Sequence, residues 1–197
     1  MDYLTLIGGV CTGGLAATFF NHSVQRHRRP RLHLVFDPGE PGCEVETGTT
    51  ESAISSTVRY LRVKLLNSGR SSAENSSVSI TRISFASKNR SEPIQTFREE
   101  VLDLKLSMIG DRVFRVAPGA HRFLDLCLTR KDPEDVAYGF YFDHNPVRLT
   151  NLGWGPGAYS AEIFASADEA PPRRAVIKWS WDGTFGGLRA EGLGYMY

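Results

Sequence analysis

Cysteine is scarce in this chain. The three residues, Cys11, Cys43 and Cys127, are too few and odd in number for a disulfide framework, and no spacing demands a Cys43–Cys127 bridge. No CxxC pair occurs, which removes the usual structural zinc site. An excess of one charge is lacking too. Lys and Arg number 23 against 22 Asp and Glu, and the net +1 is not the clear basic surplus of a nucleic-acid binder. There is no lysine-bearing phosphate loop, no GxGxxG between strand and helix, no GxSxG elbow and no HExxH. The histidines at 22, 27, 33, 121 and 144 are scattered. Asp143, His144 and Asn145 are adjacent, but neighbours on an extended chain point to opposite sides, so they suit a turn better than a ligand cluster. These absences point away from an enzyme and give no cofactor, metal or nucleic acid to expect.

Long apolar runs are missing as well, with one exception. Tyr3 to Phe20 carries no charged residue. As a helix it would reach roughly 27 Å, just short of a hydrocarbon core, and residues 21–25 would extend it into the headgroups. A signal peptide wants cations before its apolar part, and only Met1 and Asp2 stand there. The cations follow instead, at Arg26, Arg28, Arg29 and Arg31, which by the positive-inside rule keeps that flank in the cytoplasm. One transmembrane helix over 1–25 is therefore expected, then a basic linker over 26–30, with the rest of the chain cytoplasmic. Gly9, Gly13 and Ala17 recur every fourth residue and form a small-residue face for self-association in lipid. The basic run also suits anionic headgroups.

Beyond Pro30 the dominant signal has a period of two. Leu61, Val63 and Leu65 alternate with Arg62 and Lys64, which predicts a strand with one apolar face. Asn67-Ser68-Gly69 then reads as a turn with residues tolerant of positive φ. Val78 and Ile80 share one phase and Ile83 and Phe85 the other, so a bulge is expected near Thr81-Arg82. The same reasoning places strands at 31–37, 58–66, 76–85, 101–108, 113–116, 121–129, 138–142, 157–166 and 174–182. Residues 38–56 and 86–100 read as polar connections, and 186–197 as a loose glycine-rich tail. The fold class is all-β, with a two-layered body over 31–185 and no long helix beyond residue 25.

Val63, Leu65, Asn67, Gly69, Ala73, Asn75 and Val78 together resemble the V-x-V-x-N-x-G … A-x-N-x-x-V pattern of bacterial immunoglobulin-like adhesion modules. Pro156 to Ala161 resembles the tyrosine corner of immunoglobulin-like domains, with Tyr159 opening a late strand. Ala161 stands where antibody-type domains carry cysteine, so no inter-sheet disulfide is implied. The resemblance implies an immunoglobulin-like antiparallel sandwich, not an activity. On this reading the chain is a membrane-tethered, non-enzymatic binding or scaffolding module with an unidentified protein partner. The alternative is an exported carbohydrate- or surface-binding sandwich using Trp154, Trp179 and Trp181. Trp179 and Trp181, two apart on one strand, belong either to the core or to a ring-stacking platform.

Overall fold

Leu61, Val63 and Leu65 are each 0% exposed, so the alternation of the central strand is the alternation of a core-facing sheet. The computed structural model describes residues 29–51, 54–88, 94–97, 102–107, 111–131, 139–141 and 155–195. They form two antiparallel sheets on one shared core. In the first sheet β3 (Ile54–Asn67) is the spine. One of its edges is filled in succession by β1 (Leu32–Val35) and β2 (Glu44–Glu51), and the other by β9 (His121–Lys131). The far edge of β9 carries β7 (Lys105–Leu106) and β10 (Gly139–Tyr141). In the second sheet β4 (Ala73–Ser87), β11 (Gly157–Ser166), β12 (Arg173–Trp181) and β13 (Arg189–Tyr195) lie side by side. Short strands β5 (Gln95–Phe97), β6 (Leu102–Asp103) and β8 (Phe114–Val116) share the outer edge of β4.

Several expectations need correction. Residues 44–51 are not loop. They pair along β3 from Glu44↔Leu61 to Glu51↔Ile54, because backbone pairing at a sheet edge needs no apolar side chains. Part of the 86–100 connection is strand β5. The 186–197 stretch is not loose along its length, since Arg189–Tyr195 pairs with β12. The core alternation of β9 does not run on to Leu128. A register shift sets Leu61 opposite Cys127 and Arg62 opposite Asp125, so Leu126 is the extra residue and Cys127 takes the core position. The expected slip in β4 is present: Glu162 faces Arg82 and Ile163 faces Ile80, which leaves Thr81 unpaired. Residues 102–106, expected as one strand, are two. The backbone N–H of Leu104 bonds the Val78 carbonyl, and on either side of it the chain belongs to different sheets.

Around the second sheet's inner face the aromatics form a column. Phe85 and Tyr159 have ring centroids 4.9 Å apart, and Tyr159 stacks on Trp179 at 5.4 Å and 9°. The Tyr159 hydroxyl donates to the Gly155 carbonyl, four residues upstream, and so pins the entry to β11. Burial pushes the hydroxyl's pKa far up, so it donates at any physiological pH. Tyr159→Phe keeps the ring and loses that bond. A loss of about 1 kcal/mol is expected in urea unfolding; no loss would show that the corner is held by packing alone.

The end of the linker is welded to this core. Asn67 is 0% exposed, and its side chain uses all of its bonding capacity. Oδ1 accepts from the N–H groups of Arg31 (3.0 Å) and Gly69 (2.9 Å), while Nδ2 donates to the carbonyls of Ser71 (2.8 Å) and Val116 (3.0 Å). Ser68 N–H adds a bond to the Arg31 carbonyl at 2.9 Å. The expected role of this turn was positive φ, but neither Asn67 nor Gly69 adopts it; Asn75 does, at φ 49°. Gly69 is glycine because a Cβ would lie 2.5 Å from the Arg29 carbonyl oxygen and 2.6 Å from Pro30 Cα. Among the described residues no helix is long and apolar enough to cross a membrane, and the expected anchor with Gly9, Gly13, Ala17, Arg26 and Arg28 lies outside them.

Candidate functional site

β4 and β12 end, and β11 begins, at the pole opposite the linker. An open cleft of about 720 Å³ is cut there, within the usual range of small-ligand sites. Its floor is Ala86, Ala158 and the edge of Trp181, and its rim carries Lys88, Asp182 and Arg189. Two close approaches shape it. A Cβ on Gly157 would sit 2.3 Å from the Ala86 carbonyl oxygen, and one on Gly187 would sit 1.6 Å from Asp182 Oδ1. Both positions therefore need glycine, which lets backbone and carboxylate pack where a side chain would stand.

The Asp182 carboxylate is committed to the turn it starts. Oδ1 accepts from the N–H of Thr184 at 2.8 Å and from its hydroxyl at 2.6 Å, while Trp181 Nε1 donates to the Thr184 carbonyl at 2.9 Å. The Thr184 hydroxyl and amide, and then the charge of Lys88, hold the carboxyl below its usual range. Asp182 is thus a fixed anion and acceptor, not a proton donor. The cleft offers an indole edge and two cations around that anion. These groups can bind and orient a ligand.

Behind the cleft the first sheet turns polar on its inner face. Arg59 and Glu44 pair at 2.8 Å, and together they act as a substitute strand for the chain leading into β13. Arg59 Nε donates to the Leu188 carbonyl at 3.1 Å, and Glu44 Oε1 accepts from the Ala190 N–H at 2.9 Å. Thr129 donates to the Phe185 carbonyl at 3.2 Å. This explains why a glycine-rich end is ordered: its carbonyls and amides are met by side chains of the facing sheet, so the edge is partly closed.

Trp179 and Trp181 do not form an exposed platform. Trp179 is 0% and Trp181 6% exposed, and they share their face with Ala175 and Ile177, so the core has taken both rings. Only the edge of Trp181 reaches the cleft. Trp154, Asp143, His144 and Asn145 lie outside the described residues. Arg29 and Arg31 are exposed at the other pole. Among the described residues no group of His, Cys, Asp or Glu is placed to hold a metal, and Cys43 and Cys127 are free, buried thiols. Burial raises both thiol pKa values, with the charge of Asp125 adding to it at Cys127, so neither is a ready nucleophile. Sequence reasoning missed Lys88, Asp182, Thr184 and Arg189. One local signal was available: Asp182-Gly183-Thr184 is a side-chain-closed turn signature. No family model matches this chain, and no curated protein does either.

Proposed function

We propose that this chain is a non-enzymatic binding or scaffolding module, an immunoglobulin-like sandwich carried on an N-terminal membrane span with its body on the cytoplasmic side. The observation that carries the reading is the weld at residues 29–31. A segment that only joined two independent parts would have no need of a buried asparagine with four bonds and a glycine closed over by the incoming backbone. Such a weld fixes the point at which the chain enters the body, which suits an anchor ahead of it. The immunoglobulin-like part is supported by the Tyr159–Gly155 corner and by the buried Val63, Leu65, Ala73 and Val78 of the motif.

The two poles then have different tasks. β4 is 15 residues long, so the cleft stands roughly 45 Å from the linker end. A partner bound at Lys88, Trp181 and Arg189 is held away from the lipid. The burial of Trp179 and Trp181 favours this reading over an exported sugar-binding module. A reporter that works only in the cytoplasm, fused after Tyr197, should give full signal in the membrane fraction. Silence from that fusion, with signal from a periplasm-active one, would overturn the topology. Intact chain in the detergent-free soluble fraction would overturn the anchor.

A further inference from the structure

We infer that the pole around residues 29–31 is a docking surface for anionic lipid headgroups, formed by Arg29, Arg31, Arg70, Arg122 and Arg173. The inference rests on the membrane-anchored reading. All of these arginines are exposed. None forms an ion pair with a carboxylate among the described residues.

The fold brings them together from distant parts of the chain. The backbone of Arg29 and Arg31 closes over Gly69, next to Arg70. Arg122 faces Leu65 in register, two residues before Asn67. Arg173 opens β12 and lies near β1: its charge and that of Arg31 both bear on His33, whose pKa is held below its usual value first by burial and then by those two cations. Acidic groups stand at this pole as well. Glu74 pairs with Arg115 at 2.8 Å, Asp168 accepts from Asn75 at 2.7 Å, and Glu169 stands exposed on the β11–β12 turn. The five arginines without a carboxylate partner among the described residues thus gather where residues 29–31 enter the body. In sequence Arg29 and Arg31 belong to the basic run that begins at Arg26. Each arginine close to an anionic bilayer strengthens association about five-fold. Removing three of these charges should weaken it on the order of a hundred-fold, and reversing them more.

The test uses the full chain in nanodiscs of neutral phosphatidylcholine or of phosphatidylcholine with phosphatidylserine. Cys11→Ala removes the third thiol, and a fluorophore is placed at Ser68→Cys near the pole or at Lys88→Cys at the far end. Spin-labelled headgroup lipid serves as quencher. Quenching at position 68 should be clearly stronger in the serine-containing discs than in neutral ones, with little quenching at 88 in either. Arg70→Glu/Arg122→Glu/Arg173→Glu should abolish the difference while leaving the melting temperature unchanged. Should that variant misfold, 1 M salt on the unsubstituted arginines should do the same, since screening then acts within about 3 Å. Equal quenching in both lipids, or quenching indifferent to charge reversal and salt, overturns the inference. A carbonate wash separates the two readings. If it strips the chain, the anchor reading fails, and flotation of the stripped chain decides the surface alone: binding only to anionic vesicles upholds it, and binding to neither or to both overturns it.

Discussion

Asn67→Ala is expected to cost about 3 to 4 kcal/mol in chemical unfolding. The side chain joins four backbone groups of three separate segments: Arg31 just before β1, Gly69 and Ser71 of the β3–β4 connection, and Val116 of β8. Alanine leaves two N–H groups and two carbonyls without those partners. Three of the four bonds are only partly buried, so water recovers some of the loss, which is why the estimate stays below the sum of four orphaned groups. The loss should be local before it is global. Amide exchange at Arg31 and Gly69 should accelerate first, because their donors are released. Asn67→Asp gives a sharper check. The acceptor oxygen is kept, but at neutral pH a second carboxylate oxygen faces the carbonyls of Ser71 and Val116. The folded-state pKa of that aspartate is then raised, the folded state holds a proton the unfolded state releases, and stability falls as pH rises. The aspartate variant should therefore be worst at pH 7 and recover partly towards pH 4, where a protonated oxygen donates to one carbonyl. A loss below about 1 kcal/mol for Asn67→Ala would mean that the linker is not held by this residue.

The strands that were legible are those with one face on the core. Tyr159, Ala161, Ile163 and Ala165 alternate in sequence and are all buried. The slip at Thr81 was legible for the same reason, since a bulge shifts the phase of the apolar residues around it. Two kinds of information were not there. A period of two says which face a residue takes, not which sheet the strand joins; β3 and β4 are consecutive yet lie in different sheets. Likewise Leu104 and Leu106 keep their inward alternation while the chain passes from one sheet to the other. Edge strands β2 and β13 are held by backbone and by side chains of other strands, so their own composition reads as loop. The cleft was hidden because Lys88 follows β4 while Asp182 and Arg189 flank the β12–β13 connection, and only the register of the sheet brings them together. The burial of the tryptophans, by contrast, could have been read: Ala175 and Ile177 share their parity on the strand.

The second large effect concerns charges rather than an amide. Arg62 and Asp125 are register partners on the outer face of the first sheet, bonded Nε to Oδ1 at 2.8 Å with side chains only 10% and 7% exposed. The Leu126 bulge is what aligns them, and Tyr60 flanks the guanidinium at 4.9 Å. The loop before β2 closes in beside them. Glu40 pairs with Lys64, Gly42 lies against the Phe123 ring, and Arg62 N–H bonds the Cys43 carbonyl at 2.8 Å. Taking both charges out of water is costly, and their attraction roughly offsets that cost. Removing one partner leaves the other desolvated and alone. Asp125→Ala is therefore expected to lose about 3 to 5 kcal/mol. Arg62→Met with Asp125→Leu removes both charges and keeps most of the volume, so the double variant should be within about 1 kcal/mol of the parent, or more stable. The decisive quantity is the coupling in the double-mutant cycle whose single variants are Arg62→Met and Asp125→Leu. If the double loss equals the sum of the single losses, the pair is not coupled. If the double variant is as unstable as Asp125→Ala, the pair contributes net stability, and the bulge at Leu126 exists to align an attraction rather than to relieve a buried charge.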